Sequence, residues 1–340
     1  SATPSLWKWS PSASPAPGMP RPCAWTPPSL RRAKPRQLTF THFFSEGLNM
    51  HQVCAVLEFL SVRRTLLRLS FGLLALLGWS VAQAEVLLER AVSRGSLSVC
   101  TGEEFPPFKF IDAEGNHSGL IYDLVLDLQH QLQQATGKDL GLQLVLVTPV
   151  NRLAFLNQGR CELLVTSLLD TPSRRREVDF VEPGYYSSAA TVFAPKTTRL
   201  EHWEDLRGKV LCSNPASVWV RPYEERYGVR FASYTGNAEV RKAVADGRCL
   251  GTLADDVFYR ELAKDPNWQD YEIKLPSQDA APWGIALRKG QPELQALLGK
   301  VVEGWHRSGL IIELEKKYGI EANPWVAEQH ARYAQGSAGQ

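Results

Sequence analysis

The segment Gly159-Arg160-Cys161-Glu162-Leu163-Leu164 recurs later in the chain as Gly247-Arg248-Cys249-Leu250-Gly251-Thr252. Each copy follows an apolar run that ends in cysteine, Leu97-Ser98-Val99-Cys100 before the first and Lys209-Val210-Leu211-Cys212 before the second. A strand that carries a cysteine and a later strand introduced by Gly-Arg-Cys are therefore present twice. This repeat predicts two similar α/β lobes, and two lobes imply a cleft in which a small molecule binds.

The four cysteines of the repeat are predicted to form the disulfides Cys100–Cys161 and Cys212–Cys249, each between neighbouring strands of one lobe. The alternative is four reduced core cysteines, since free cysteine is among the most buried residue types. An export signal favours disulfides, because these persist in oxidising compartments. A basic segment at 63–68, a mostly apolar one at 69–81 and a small-x-small site at 82–84 are typical of a secretory signal peptide.

The N-terminal quarter of the chain is predicted to lie outside the fold. We expect residues 50–84 to be the signal-peptide region, with cleavage after Ala84 and release into the periplasm. The apolar segment is too short for a spanning helix, and without a cysteine at the cleavage site we expect no lipid anchor. Residues 1–49 are Pro-rich and basic, and we expect a disordered or over-extended segment there.

The charge balance argues against nucleic-acid binding. The 340 residues include 38 Lys and Arg against 36 Asp and Glu, a formal net charge of +2. The first 84 residues contain nine of these basic and two of these acidic residues, which leaves 29 basic and 34 acidic residues in 85–340, or −5. An acidic mature chain lacks the positive charge with which proteins bind phosphate backbones.

Alternating strands and helices predict an α/β fold with two parallel or mixed sheets, a hinge and an interlobe cleft. The first lobe is predicted as 85–193 plus 284–325, the second as 194–283, and 326–340 as a C-terminal tail. The chain is expected to cross between the lobes near 193–195 and 281–284. The last apolar helical stripe, at 294–305, is expected to return to the first lobe.

Polar residues follow the two Gly-Arg-Cys strands, where ligands of parallel sheets gather. The first strand leads into Thr166, Ser167 and then Arg174, and the second ends at Asp255. Arg174 suits a carboxylate because its guanidinium donates two parallel hydrogen bonds, Ser167 adds a hydroxyl, and Asp255 suits an ammonium. An α-amino acid matches this arrangement. The alternative is that Arg174 opens a helix or belongs to the solvated charge run 174–176.

From Leu97 to Tyr318 the chain resembles the periplasmic solute-binding proteins of polar amino-acid ABC transporters. The resemblance rests on an ordered series of motifs: Phe105-Pro106-Pro107-Phe108-Lys109-Phe110, Gly119-Leu120-Ile121-Tyr122-Asp123-Leu124, Asn151-Arg152-Leu153, Thr171-Pro172-Ser173-Arg174, Leu206-Arg207-Gly208-Lys209-Val210, Ala254-Asp255-Asp256 and Trp283-Gly284-Ile285-Ala286. Each motif alone is weak evidence for the resemblance, but their order and spacing together are strong evidence for it.

The resemblance implies roles for individual positions. Arg174 matches the arginine that binds the substrate α-carboxylate, with support from Ser167 and the adjoining Thr166. Asp255 matches the acid that receives the α-ammonium. Phe105 matches the aromatic ring over the ligand side chain. Two further positions are Ser217, near a helix start that faces the carboxylate, and Arg152, which matches an arginine of acidic-amino-acid binders or is a surface or packing arginine.

Departures from the family pattern leave the ligand side chain open. Leu169 replaces a frequent Ser or Thr, and Gly102 stands where basic-amino-acid binders have an acid and glutamate binders an arginine. The acids Glu103 and Glu104 beside it either attract a cation or, as is usual for such acids, are exposed loop residues without a specific contact. Four aromatic residues either line an apolar pocket or belong to the core: Tyr185, Tyr186, Trp219 and Trp283. Arginine-type, glutamine-type and aromatic ligands all fit the sequence.

The predicted function is capture of a small solute for delivery to an inner-membrane ABC permease, and the favoured solute is an amino acid. We expect a monomer without cofactor or metal. One alternative is an accessory or sensory binding protein; another is an enzyme like the cyclohexadienyl dehydratase that shares the fold. No GxSxG motif, phosphate-binding loop or zinc-spaced histidine pair supports catalysis.

Overall fold

The computed structural model describes residues 87–335, all of which belong to one compact unit. The predicted segment at 1–49, the signal-peptide region at 50–84 and the cleavage site after Ala84 lie outside the described residues, as do residues 336–340. Within the described part, no helix is both long and apolar enough to cross a membrane.

The first lobe is built on a five-stranded mixed sheet. Its strands are β1 (Ser96–Thr101), β4 (Gly141–Leu146), β5 (Leu163–Val165), β6 (Asp179–Phe180) and β13 (Ala286–Leu287), in the spatial order β4–β1–β5–β13–β6. Strand β1 is parallel to β4 and β5, and β13 is antiparallel to β5 and β6. A short hairpin, β2 (Phe110–Ile111) and β3 (His117–Ser118), lies beyond β1 in the chain.

The helices of this lobe bury apolar stripes at helical spacing. They are α1 (Leu87–Arg94), α2 (Leu120–Thr136), α3 (Arg152–Asn157), α7 (Pro292–Ser308), α8 (Leu310–Tyr318) and α9 (Pro324–Gln335). The apolar residues of α2 are buried at helical spacing, and the helix ends at Gly137, whose φ of 63° suits a residue without a Cβ. The predicted C-terminal stripe lies on α7, which contacts α2.

The second lobe is built on a six-stranded mixed sheet. Its strands are β7 (Tyr186–Pro195), β8 (Val210–Ser213), β9 (Arg230–Ser233), β10 (Thr252–Asp255), β11 (Tyr271–Ile273) and β12 (Gln278–Trp283). The order is β11–β7–β10–β8–β9, with β12 also paired to β7. The helices are α4 (Val220–Tyr227), α5 (Asn237–Ala245) and α6 (Asp256–Leu262). The predicted two-lobed α/β fold is confirmed.

Both predicted disulfides are present, with a Cα–Cα distance of 5.6 Å in each. Cys161 and Cys249 precede β5 and β10 rather than lying on them, because Gly-Arg-Cys belongs to the end of a helix. Gly159 and Gly247 have φ values of 72° and 71°, and the arginine after each donates its backbone N–H to the helix before it. Such a Schellman motif ends α3 and α5 identically. The sequence repeat is therefore a repeated helix end that leads into a cysteine and a strand.

The two lobes are joined by the paired strands β7 and β12. Trp283 lies opposite Tyr186, and β7 joins β10 from Ala190 onward. The first crossing therefore lies between Phe180 and Tyr186, not near 193–195 as the sequence suggested, because the apolar run at 189–193 is the middle of a long strand of the second sheet. The second crossing falls at Gly284, within the predicted 281–284.

The segment predicted as a tail is helical as far as Gln335. Helix α9 packs on α7: Val326 is 1% exposed, the rings of His306 and Tyr333 stack 5.6 Å apart, and His330 Nδ1 lies 2.7 Å from the carbonyl oxygen of His306. The C-terminal segment therefore packs on the first lobe through residue 335.

Candidate functional site

The predicted site residues converge on one cleft between the lobes. An open cleft, here called the main chamber, contains about 630 Å³ of space that is continuous with solvent. Six of the seven predicted residues line it: Phe105, Arg152, Ser167, Arg174, Ser217 and Asp255. The seventh, Thr166, lines an adjoining space of about 490 Å³, the side chamber, which shares Phe105 and Arg152 with the main chamber.

Arg174 reaches from the first lobe to the second. It opens the short 3₁₀ turn Arg174–Arg176 after β5 and is 7% exposed. Its Nη1 donates to the Leu169 carbonyl oxygen at 2.8 Å, and Nη2 donates to the Ala216 carbonyl oxygen of the second lobe at 3.2 Å. No carboxylate of the described residues forms an ion pair with it. Burial lowers the pKa of Arg174 to about 10, so it stays charged at neutral pH.

Asp255 faces Arg174 from the end of β10. Its Oδ1 accepts a hydrogen bond from Ser188 Oγ at 2.7 Å, and Ser188 Oγ in turn accepts one from Trp283 Nε1 at 2.8 Å. Burial raises the pKa of Asp255, while Ser188 and the two cleft arginines oppose that shift. The carboxylate is thus held by Ser188 on one side and lines the main chamber.

Arg152 lies between the two chambers and is 9% exposed. Its Nη1 makes one long contact, 3.5 Å to Thr166 Oγ1, and it has no ion pair among the described residues. Burial lowers the pKa of Arg152, and the like charge of Arg174 lowers it further. Two buried guanidinium groups therefore share the cleft with one facing carboxylate.

Phe105 forms the wall where the lobes meet. Its ring lies 4.5 Å from that of Phe258 and 6.2 Å from that of Tyr259, both on α6 of the second lobe. Ser217 lies just before α4, where its hydroxyl oxygen accepts the backbone N–H of Trp219 at 3.4 Å. Phe105 thus shields the cavity, and Ser217 presents a polar group beside a helix start.

Of the four aromatic residues left open by the sequence, Trp219 lines the main chamber, and the others belong to the core. Tyr185 is fully buried and donates to the Thr166 carbonyl oxygen at 2.6 Å. The Tyr186 hydroxyl donates a hydrogen bond to Glu315 Oε1 at 2.9 Å, so it is bound within the core.

Sequence reasoning missed several residues of the cleft. Lys109 lines the side chamber, is 5% exposed and forms no ion pair with the described residues. Asn237 lines both chambers from the start of α5, and Phe258 does so from α6. Ser188 supports Asp255. Among these residues, Lys109 could have been noticed from the sequence, because it stands between Phe108 and Phe110. The positions of Asn237, Phe258 and Ser188 in the cleft depend on contacts between distant segments.

Residues 97–321 match the model of the bacterial extracellular solute-binding proteins, family 3, which covers most of the chain. The protein belongs to this family.

Two relatives and one structure illustrate the likeness. The chain is 22% identical to an L-glutamate/L-aspartate-binding protein of Pseudomonas aeruginosa, over 70% of this chain and 81% of that protein. It is 24% identical to a histidine-binding periplasmic protein of Escherichia coli, over 66% and 87%. A solute receptor for L-cysteine from Neisseria gonorrhoeae has the same fold, with a TM-score of 0.62, 21% identity and coverage of 68% and 92%. These relatives are named as binding proteins, and the enzyme alternative is not favoured.

Proposed function

We propose that this protein binds an amino acid with an acidic side chain in the interlobe cleft and delivers it to an inner-membrane ABC importer. In this proposal it acts in the periplasm as a soluble monomer after signal-peptide removal, without a lipid anchor, and catalyses no reaction. The family and the names of the relatives support amino-acid capture. The export signal and two disulfides support the compartment.

The observation that carries the proposal is the charge of the cleft. Arg174 and Arg152 are buried there and form no ion pair among residues 87–335, while the charge of Asp255 acts on both of them. Buried charges are normally paired, because an unpaired buried ion is costly. An α-amino acid placed with its carboxylate at Arg174 and its ammonium at Asp255 neutralises one guanidinium and the carboxylate of Asp255. Arg152 then still requires an anion.

The side chamber supports a second carboxylate on the ligand. Arg152 borders this space together with Lys109, whose pKa is lowered by burial. The acidic residue that lines the side chamber, Glu103, already accepts a hydrogen bond from the backbone N–H of Asn237 at 2.8 Å. A side chain that extends from the main chamber toward Arg152 and Lys109 is therefore favoured when it carries a negative charge. The glutamate and aspartate ligand of the Pseudomonas relative agrees with this preference.

The importer is carried over from the family resemblance, and catalysis is left out for a physical reason. An acid that receives an ammonium must be ionised, so Asp255 is unsuited to act as a proton donor in the same complex. Ser167 and Thr166 follow β5 as hydroxyl groups near Arg174 and Arg152, and neither has a histidine beside it that would make it a nucleophile.

Binding of L-glutamate and L-glutamine tests the proposal, because the two ligands differ in charge and hardly in shape. A ligand at about 100 times its Kd stabilises a protein by about 2.7 kcal/mol, a clear thermal shift. We expect L-glutamate and L-aspartate to raise the melting temperature at concentrations where L-glutamine and L-histidine do not. Equal shifts with L-glutamine would contradict the acidic specificity. No shift with any common amino acid would contradict amino-acid binding.

A further inference from the structure

The loop after β1 reaches across the cleft and caps a helix of the other lobe. Glu103 Oε2 accepts the backbone N–H of Asn237, the first residue of α5, at 2.8 Å. The two residues are 134 positions apart, and they come from opposite lobes. A carboxylate at this place interacts favourably with the free N–H groups and the positive end of the helix.

Helix α5 has no side-chain cap at its own N-cap position. That position is Gly236, and the acid of the first turn, Glu239, accepts hydrogen bonds from the backbone and hydroxyl of Thr235 instead. A Cβ at Gly236 would lie 2.7 Å from Glu103 Oε1, so the carboxylate rests against the glycine backbone. The helix start is therefore open to an acid supplied from outside, and Glu103 occupies it.

A second contact joins the same loop to the same helix. The guanidinium carbon of Arg241, four residues after Asn237, lies 4.9 Å from the centre of the Phe105 ring. The Nη1 of Arg241 is buried without a hydrogen-bond partner among the described residues, so the ring face is the neighbour that accommodates its charge. Glu103 and Phe105 thus hold two successive turns of α5.

We propose that Glu103 is a positioning residue that stabilises the closed arrangement of the lobes by capping α5 from across the cleft. The hydrogen bond exists only while the lobes are together, so its free energy adds to closed states alone and shifts the population toward them. The inference depends on the proposed function only in taking closure as the binding motion. It replaces the expectation that Glu103 is an exposed acid without a specific contact.

The direct test compares Glu103→Ala with Glu104→Ala, the exposed neighbouring acid, in the purified protein. With L-glutamate as the probe, loss of a helix cap corresponds to a dissociation rate about fivefold faster for Glu103→Ala, with an unchanged association rate. Glu104→Ala, which removes a charge that acts on Lys109 but no contact with α5, should not accelerate release, and Glu103→Gln should recover part of the loss. An unchanged dissociation rate in Glu103→Ala would overturn the proposal.

A variant of the partner tests the hydrogen bond itself. Asn237→Pro removes the accepted N–H, and proline is tolerated at the first position of a helix, after the extended backbone of Gly236 (φ −119°, ψ 156°). Asn237→Ala removes the same side chain and keeps the N–H. Adding Glu103→Ala should accelerate release about fivefold in the Asn237→Ala background and have no effect in the Asn237→Pro background. Equal effects in both backgrounds would show that Glu103 acts elsewhere.

Failure of the proposed ligand is distinguishable from failure of the cap. If the parent does not bind L-glutamate, the specificity proposal is wrong. The capping of α5 by Glu103 is then tested by small-angle scattering of the proteins without ligand. Glu103→Ala and Asn237→Pro should then have a larger radius of gyration than the parent, Glu104→Ala and Asn237→Ala. Equal radii in all five proteins would overturn the cap.

Discussion

Replacing Arg152 with methionine is expected to stabilise the unliganded protein. Burial and the like charge of Arg174 lower the pKa of Arg152, which means that its charged form is less stable in the fold than in the unfolded chain. The cost is present at every pH below the folded-state pKa. Replacement of buried ion pairs or triads by apolar residues of similar volume has stabilised proteins by about 1–4 kcal/mol, and Arg152 has no ion pair among the described residues to leave behind. Attraction to Asp255 opposes the cost, so we expect a gain of about 1–2 kcal/mol.

The same replacement is expected to weaken L-glutamate binding selectively. Loss of one partner of a buried charge pair costs about 2–5 kcal/mol, or roughly 30-fold to several thousandfold in Kd. L-Glutamine carries no charge for Arg152 to bind, so its Kd should change by about threefold or less. The charge selectivity between these two ligands should therefore largely disappear.

Two measurements and one control decide this prediction. Urea unfolding gives the free energy of unfolding of the unliganded protein, and isothermal titration calorimetry gives Kd for both ligands. Arg176→Met, an exposed position in the same arginine run, should change the free energy of unfolding by less than about 0.5 kcal/mol. A lower stability of Arg152→Met with unchanged Kd values would identify Arg152 as a packing residue and refute the charge argument.

Arg174→Lys is expected to weaken binding of an amino acid at least about tenfold in calorimetry, because an ammonium lacks the planar pair of donors; an unchanged Kd would exclude Arg174 as the carboxylate partner. Affinity is also expected to fall as the pH falls through the raised pKa of Asp255, by up to about tenfold per unit, since the ligand ammonium requires the ionised carboxylate. In Asp255→Asn that pH step should be absent, and a profile identical to the parent's would contradict the assignment.

The features that local sequence determines were predictable. The Gly-Arg-Cys repeat placed both disulfides and the two lobes, because a helix end, a cysteine and a strand are local consequences of neighbouring residues. The polar residues at the ends of β5 and β10 were predictable for a similar reason, since parallel strands bring their carboxyl ends to one edge. Thr166, Ser167 and Asp255 accordingly line the two chambers.

The features that depend on distant partners were not predictable. In the sequence, Ser188 is one small residue in an apolar strand. Its hydrogen bond to Asp255, 67 positions later, becomes visible only in the structure. Glu103 accepts a hydrogen bond from the backbone N–H of Asn237, and a backbone group is the same in every residue except proline, so the sequence gives no sign of this contact. The first crossing was misplaced because the apolar run at 189–193 was assigned to the first lobe, whereas β7 belongs to the second sheet over its whole paired length.

The hydrogen-bond chain behind Asp255 links the site to the hinge strands. Trp283 on β12 donates to Ser188 on β7, and Ser188 donates to Asp255 on β10. Because β7 and β12 carry the chain between the lobes, Asp255, the group proposed to receive the ligand ammonium, is fixed to the hinge strands. Arg174, across the cleft, belongs to the first lobe. An amino acid bound by Arg174 and Asp255 gains both interactions only when the lobes are close, and this difference in contacts favours the closed state.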